Sequence, residues 1–131
     1  MSERYLSDHK PSMRESFGHA FDGIGWIFVH ERNFQIHVIA TIMVLLLGLW
    51  LDLSRSEWLV LLVFLVLVPT LELVNTAGEI VCNIVRDELH LDYAATKIPR
   101  DLLAGAVLYS TLGALVAGAV ILGPKLWQLV W

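Results

Sequence analysis

The residues best suited to chemistry lie between positions 72 and 86. Glu72, Asn75, Thr76, Glu79, Asn83 and Arg86 stand among Leu, Val, Ile and Ala. At about 100° per residue they share one helical sector about 100° wide. A polar stripe on so apolar a helix is expensive in lipid, about 2.5–3.5 kcal/mol for each central carboxylate on insertion scales. Such groups therefore face a bundle interior or a site. If Trp58 marks one membrane surface, a rise of 1.5 Å per residue puts Glu72 about 21 Å inward and Glu79 about 32 Å inward. Glu72 is then just inside the hydrocarbon core, and Glu79 is at its far edge. Glu31 and Asn33, and Arg100 and Asp101, precede other apolar stretches and fall at that same level. The shallow carboxylates, Glu31 and Glu79, could hold a Mg²⁺ ion that neutralises a nucleoside triphosphate. The deeper and less solvated Glu72 could take the proton of an attacking lipid hydroxyl. Intramembrane carboxylates also mark ion and proton pathways, so these residues leave both a phosphate transfer and a conducting oligomer open.

Three apolar stretches position these groups: 36–53, 58–85 and 102–122. The first carries only Asp52, the second only Glu72 and Glu79, and the third no charge. A crossing needs about 20 apolar residues, so each can span. With 131 residues, 56% hydrophobic and a mean hydropathy of +0.65, the chain is a single all-α integral membrane domain in which lipid does part of the burying. Ser54 and Glu57 form a capping box that opens the second span. Gly123-Pro124 is expected to close the third. Arg4, Lys10, Arg14 and Arg32 precede the first span, and Arg86, Lys97 and Arg100 lie in the second loop. The first loop and the tail hold only Arg55 and Lys125. The excess of positive charge places the N-terminus and second loop in the cytoplasm and the C-terminus outside. Trp50, Trp58, Trp127 and Trp131 then form an aromatic belt at the outer interface.

A separate element precedes the spans. Ser12 and Glu15 make another capping box, and Met13, Phe17, Ala20, Phe21, Ile24, Ile27 and Phe28 form one apolar stripe. This predicts an amphipathic helix over 12–30, lying on the cytoplasmic interface or packed on the bundle. No cleavable signal is evident in the first 25 residues, so the first span is expected to direct insertion. The net charge of −4 disfavours a nucleic-acid partner. Cys82 is the one cysteine, which excludes an internal disulfide and a cysteine-based zinc site. Neither a GxxxxGK[ST] nor a GxGxxG phosphate loop occurs. His30 and His37, seven apart, are expected to share a helix face and to hydrogen-bond at the interface. Gly105, Gly113 and Gly118 are expected to allow close helix packing. His90, Asp92 and Tyr93 read as a solvated loop.

Glu72-Leu73-Val74-Asn75-Thr76-Ala77-Gly78-Glu79-Ile80-Val81-Cys82-Asn83 resembles the motif Glu-x-x-Asn-(Thr/Ser)-Ala-Ile-Glu-x-x-x-Asp of the small prokaryotic diacylglycerol kinase family. The resemblance continues at Ser16–Ile24, His30–His37, Lys97–Asp101 and Ala104–Val107, and its His-Glu-Arg-Asn-Phe…Ile-His stretch looks most like the Gram-positive undecaprenol kinase branch. It implies a surface helix and three membrane helices assembled as a homotrimer in the bacterial inner membrane, with sites between subunits. It also implies an ATP- and Mg²⁺-dependent lipid kinase acting on undecaprenol or diacylglycerol. Glu72 matches the catalytic base, and Glu31 and Glu79 match the metal-coordinating glutamates. Glu31, Asn75, Glu79, Arg100 and Asp101 match the nucleotide site, with His19, Asn83 and Lys97 nearby. The chain departs from the family pattern at Asn83 (Asp), Gly78 (Ile), Arg100 (Lys) and His19 (an aromatic), and Pro69 is unusual. Gly78 is expected to remove a packing contact and loosen the helix by about 1 kcal/mol relative to Ala. Asn83 and Gly78 keep an alternative in view: a non-catalytic or ion-conducting oligomer derived from the kinase fold.

Overall fold

The computed structural model describes residues 11–130. Arg4, Lys10 and Trp131, used above in the charge and belt arguments, lie outside them. Among the described residues four helices follow one another: α1 (Met13–His30), α2 (Arg32–Trp50), α3 (Arg55–Glu88) and α4 (Lys97–Val130), with a 3₁₀ turn at Tyr93–Thr96 before α4. Three of the helical segments are long and apolar enough to cross a membrane.

Local chemistry sets the starts. Ser12 and Glu15 cap α1 reciprocally, and Ser54 and Glu57 do the same for α3. Each box satisfies backbone donors that the first turn leaves free. The Ser12 backbone N–H, then its hydroxyl, holds the Glu15 carboxyl below the usual carboxylate range. Glu31 is both the last cap of α1 and the first cap of α2, with φ −111° and ψ 108°. That one extended residue breaks the helix and leaves the carboxylate unused in capping.

The ends differ from the sequence expectations at two places. Residues 51–53, expected to finish the first span, form a turn in which Asp52 adopts a left-handed φ of 48°, a conformation that short polar side chains tolerate. Gly123-Pro124 does not close the third helix, because α4 runs through Pro124 to Val130. Proline removes one backbone donor, but the following turns keep theirs, and the Lys125–Glu57 ion pair (3.4 Å) ties this last stretch to the start of α3. α3 likewise continues through Pro69.

α3 and α4 pack along one another, and α2 packs against α3. At the end carrying the 51–54 turn, Leu53, Leu61 and Leu122 form a buried cluster with Val44, Leu47, Trp58 and Ile121 around it. Gly113 receives the Phe64 ring so closely that a Cβ would meet it at 2.8 Å. Gly105 and Gly118 have open space instead, so within one chain only Gly113 of the three serves close packing. Most other large apolar side chains face outward, as lipid contact requires. α1 buries only Ile27, while Met13, Phe17 and Phe21 are exposed.

Candidate active site

At the opposite end of the bundle, α3 buries a run of polar side chains: Glu72 is 3% exposed, Thr76 6% and Asn75 8%. They recur three and four apart, so the helix presents them on one face, the face that α2 covers near its start. Asn33 presents its side-chain amide to the Glu72 carboxyl, and His37, Glu79 and Glu31 lie within electrostatic reach of it. Two glutamates expected to act with Glu72 thus lie within its electrostatic reach, although the three come from the α1–α2 junction and from positions two turns apart on α3. Asn75 Nδ2 donates to Glu79 Oε1 at 3.3 Å, one turn along the helix. This fixes which end of the amide faces Glu79 and orients that carboxylate.

Of the two α2 neighbours of Glu72, the sequence places Asn33 at this level without a role, and His37 is expected from it only to hydrogen-bond at the interface. Asn33 and His37 are four apart on α2, and this i, i+4 spacing puts both on one face. The histidines do not share a helix. His30 ends α1, stacks on Trp26 with ring centroids 4.5 Å apart and bonds the Trp26 carbonyl through Nδ1 at 2.8 Å. His37 belongs to α2, because the break at Glu31 separates them.

The second group of polar residues lies where α3 ends and α4 begins. Arg100 donates from a terminal guanidinium nitrogen to Asn83 Oδ1 (3.0 Å) and from Nε to Thr96 Oγ1 (3.2 Å). Its guanidinium carbon sits 5.1 Å from the centre of the Tyr93 ring. Tyr93 is exposed, as expected of a solvated stretch, and its ring also forms part of the Arg100 surroundings. Asp101 turns to Lys97, its partner one turn earlier, in an exposed ion pair. Arg86 pairs with Asp87 at 2.8 Å. His19 is exposed on α1.

Gly78 lies between the two groups and corrects an expectation. A Cβ there would collide with Leu103 Cδ1 of α4. The volume that a larger side chain would fill is already taken by Leu103, so the packing contact is supplied from the other helix rather than lost. Gly78→Ile is expected to lower the heat-denaturation midpoint of the purified protein, by about 1–3 kcal/mol of overpacking. Adding Leu103→Ala should recover most of that loss. A double variant no more stable than Gly78→Ile would show that the two side chains do not share this space.

Glu31 and Glu79 suit a metal in one particular way. Among the described residues no group of three or more His, Cys, Asp or Glu side chains is placed to hold an ion. A closed protein cage is thus absent from this arrangement. Mg²⁺ in phosphoryl-transfer sites takes one or two carboxylates and completes its shell with water and phosphate oxygens, which two glutamates at a water boundary can provide.

Comparison with known proteins gives these features a family. The model for prokaryotic diacylglycerol kinase matches residues 18–122. A diacylglycerol kinase from Synechocystis is 34% identical over 120 residues, covering 92% of this chain and 67% of that protein. An undecaprenol kinase from Bacillus subtilis is 34% identical over 122 residues, covering 91% of this chain and 97% of that one. No solved structure matches the chain. With three apolar helices and a buried carboxylate, these similarities define a membrane lipid kinase. The chain belongs to the prokaryotic diacylglycerol kinase family.

Proposed function

We propose that this kinase transfers the terminal phosphate of ATP to the hydroxyl of undecaprenol or diacylglycerol at the cytoplasmic surface of the bacterial inner membrane. The observation that carries the reading is Glu72: a carboxylate 3% exposed, on a membrane helix, facing an amide donor and two further glutamates. Glu72 accepts the proton of the lipid hydroxyl as its oxygen bonds to the terminal phosphorus and the bond to ADP breaks. Asn33 holds the carboxylate in place while the acceptor approaches from the lipid side. Glu31 and Glu79 hold Mg²⁺, which when bound offsets the charge of the triphosphate. Arg100 and Asn75, with Asp101 and Lys97 beside them, complete the nucleotide side.

The orientation rests on charge. The starts of α2 and α4 and the end of α3 carry Arg32, Lys97, Arg100 and Arg86, against Arg55 and Lys125 at the other end, so the richer end faces the cytoplasm. α1 then lies on that surface with its exposed Met13, Phe17 and Phe21 in the lipid headgroup region. The protein works as a homotrimer whose sites are completed between subunits. In support, Glu31, Glu79 and Arg100 are only half-buried in one chain.

The test is phosphate transfer from labelled ATP by the purified protein in mixed micelles, with undecaprenol and diacylglycerol offered in parallel. Labelled lipid phosphate from either acceptor is expected, and the faster one names the substrate. A folded protein that binds Mg-ATP but phosphorylates neither would overturn the choice of acceptors. One that binds no nucleotide would overturn the kinase reading.

A further inference from the structure

Arg100 is charged, half-buried and surrounded by neutral groups. It contacts the Asn83 amide oxygen, the Thr96 hydroxyl and the Tyr93 ring. No carboxylate pairs with it among the described residues, although Asp101 is next to it in sequence. Lys97 takes Asp101, and Arg86 takes Asp87. Thr96 is 6% exposed, and its hydroxyl donates to the Tyr93 carbonyl at 3.4 Å, which leaves its lone pairs for the Arg100 Nε–H. A partly buried cation without a counter-ion is costly, and a guanidinium held by two of its edges still has N–H donors free for a planar or tetrahedral oxyanion.

We propose that Asn83, Thr96 and Tyr93 form a neutral cradle that aims the Arg100 guanidinium at the polyphosphate of the nucleotide without neutralising it. Asn83 is therefore a positioning residue for nucleotide affinity. The proposal rests on the kinase reading above, and it gives a reason for an amide at position 83. An amide oxygen orients the guanidinium as well as a carboxylate oxygen does, yet it brings no negative charge next to the phosphates. It also ties the end of α3 to the start of α4, so the cradle is built from both helices and the turn between them.

Asn83→Asp separates orientation from charge, because it keeps the acceptor atom and adds a counter-ion. The measurement is the dissociation constant of Mg-ATP, read by displacement of a fluorescent trinitrophenyl-ATP from the purified full chain in micelles. Asn83→Asp is expected to weaken binding about tenfold, since a new charge within a few ångströms of both groups acts at a partly solvated site. The heat midpoint without nucleotide should stay equal or rise, which a purely structural role for Asn83 would not give. Thr96→Val, which removes the second acceptor, should weaken binding several-fold and carries the test if Asn83→Asp does not fold. In the lipid kinase assay the loss should fall on the KM for ATP and not on the KM for lipid. Unchanged or tighter Mg-ATP binding in Asn83→Asp would overturn the cradle. Native protein that binds Mg-ATP with these sensitivities but phosphorylates neither undecaprenol nor diacylglycerol would uphold the cradle and overturn the proposed acceptors. Native protein that phosphorylates lipid while Asn83→Asp binds Mg-ATP as tightly would do the reverse.

Discussion

Glu72→Gln is expected to reduce lipid phosphorylation by about 10²–10⁴-fold, the contribution a positioned general base makes, while the protein stays folded. Glutamine has the same length, and its carbonyl can still accept from the Asn33 amide that faces Glu72. What it lacks is an oxygen able to take a proton from the lipid hydroxyl. The loss should therefore appear in kcat at saturating lipid and ATP, with Mg-ATP binding near the native level. Glu72→Ala is the less informative variant, because it opens a cavity in a residue position only 3% exposed and mixes catalysis with packing. The assay is single-turnover transfer from labelled ATP, beside a heat-denaturation curve for each protein. Native-like turnover in a folded Glu72→Gln protein would make this carboxylate structural and leave the hydroxyl proton to another group. A parallel loss of turnover and of the heat midpoint would assign Glu72 to the fold.

What the sequence shows plainly is whatever repeats within one helix. Glu72, Asn75, Thr76 and Glu79 could be put on one face from spacing alone, and the structure buries the first three. The capping boxes at Ser12 and Ser54 were equally legible, since both partners lie within four residues. Contacts between helices were not, because they depend on how two axes approach. Nothing in the spacing of Gly78 says that Leu103, a full loop and a helix start away, fills its place. Nor does the motif containing Asn83 announce its bond to Arg100, 17 residues on. Pro124 misled for a related reason. The local rule that proline stops a helix is a preference of about 3 kcal/mol, and α4 has a Lys125–Glu57 tie and a packed Leu122 on either side of the break to set against it. The histidine pair failed on one residue: Glu31 adopts an extended backbone, and a single such residue turns His30 and His37 onto different helices.

The same residue, Glu31, lies with Glu79 within electrostatic reach of Glu72, and Glu79 is where the metal reading is most exposed to test. Mg-ATP is expected to protect the native protein against heat, by about 2.7 kcal/mol at a concentration 100 times its dissociation constant. Without Mg²⁺ that protection should vanish. In Glu79→Ala it should vanish even with Mg²⁺ present, and turnover with it, because one of two carboxylates offered to the ion is gone. Alanine also deletes the acceptor for Asn75 Nδ2, so a loss there could come from a released Asn75 instead. Glu79→Gln resolves the two. Its carbonyl oxygen keeps the bond from Asn75, and only the charge is removed. If charge on the metal is what matters, Glu79→Gln loses Mg-dependent protection nearly as fully as Glu79→Ala. If orientation of Asn75 is what matters, Glu79→Gln behaves as native. Protection that survives in both variants would remove Glu79 from the metal site and leave Glu31 to hold the ion with water and phosphate alone.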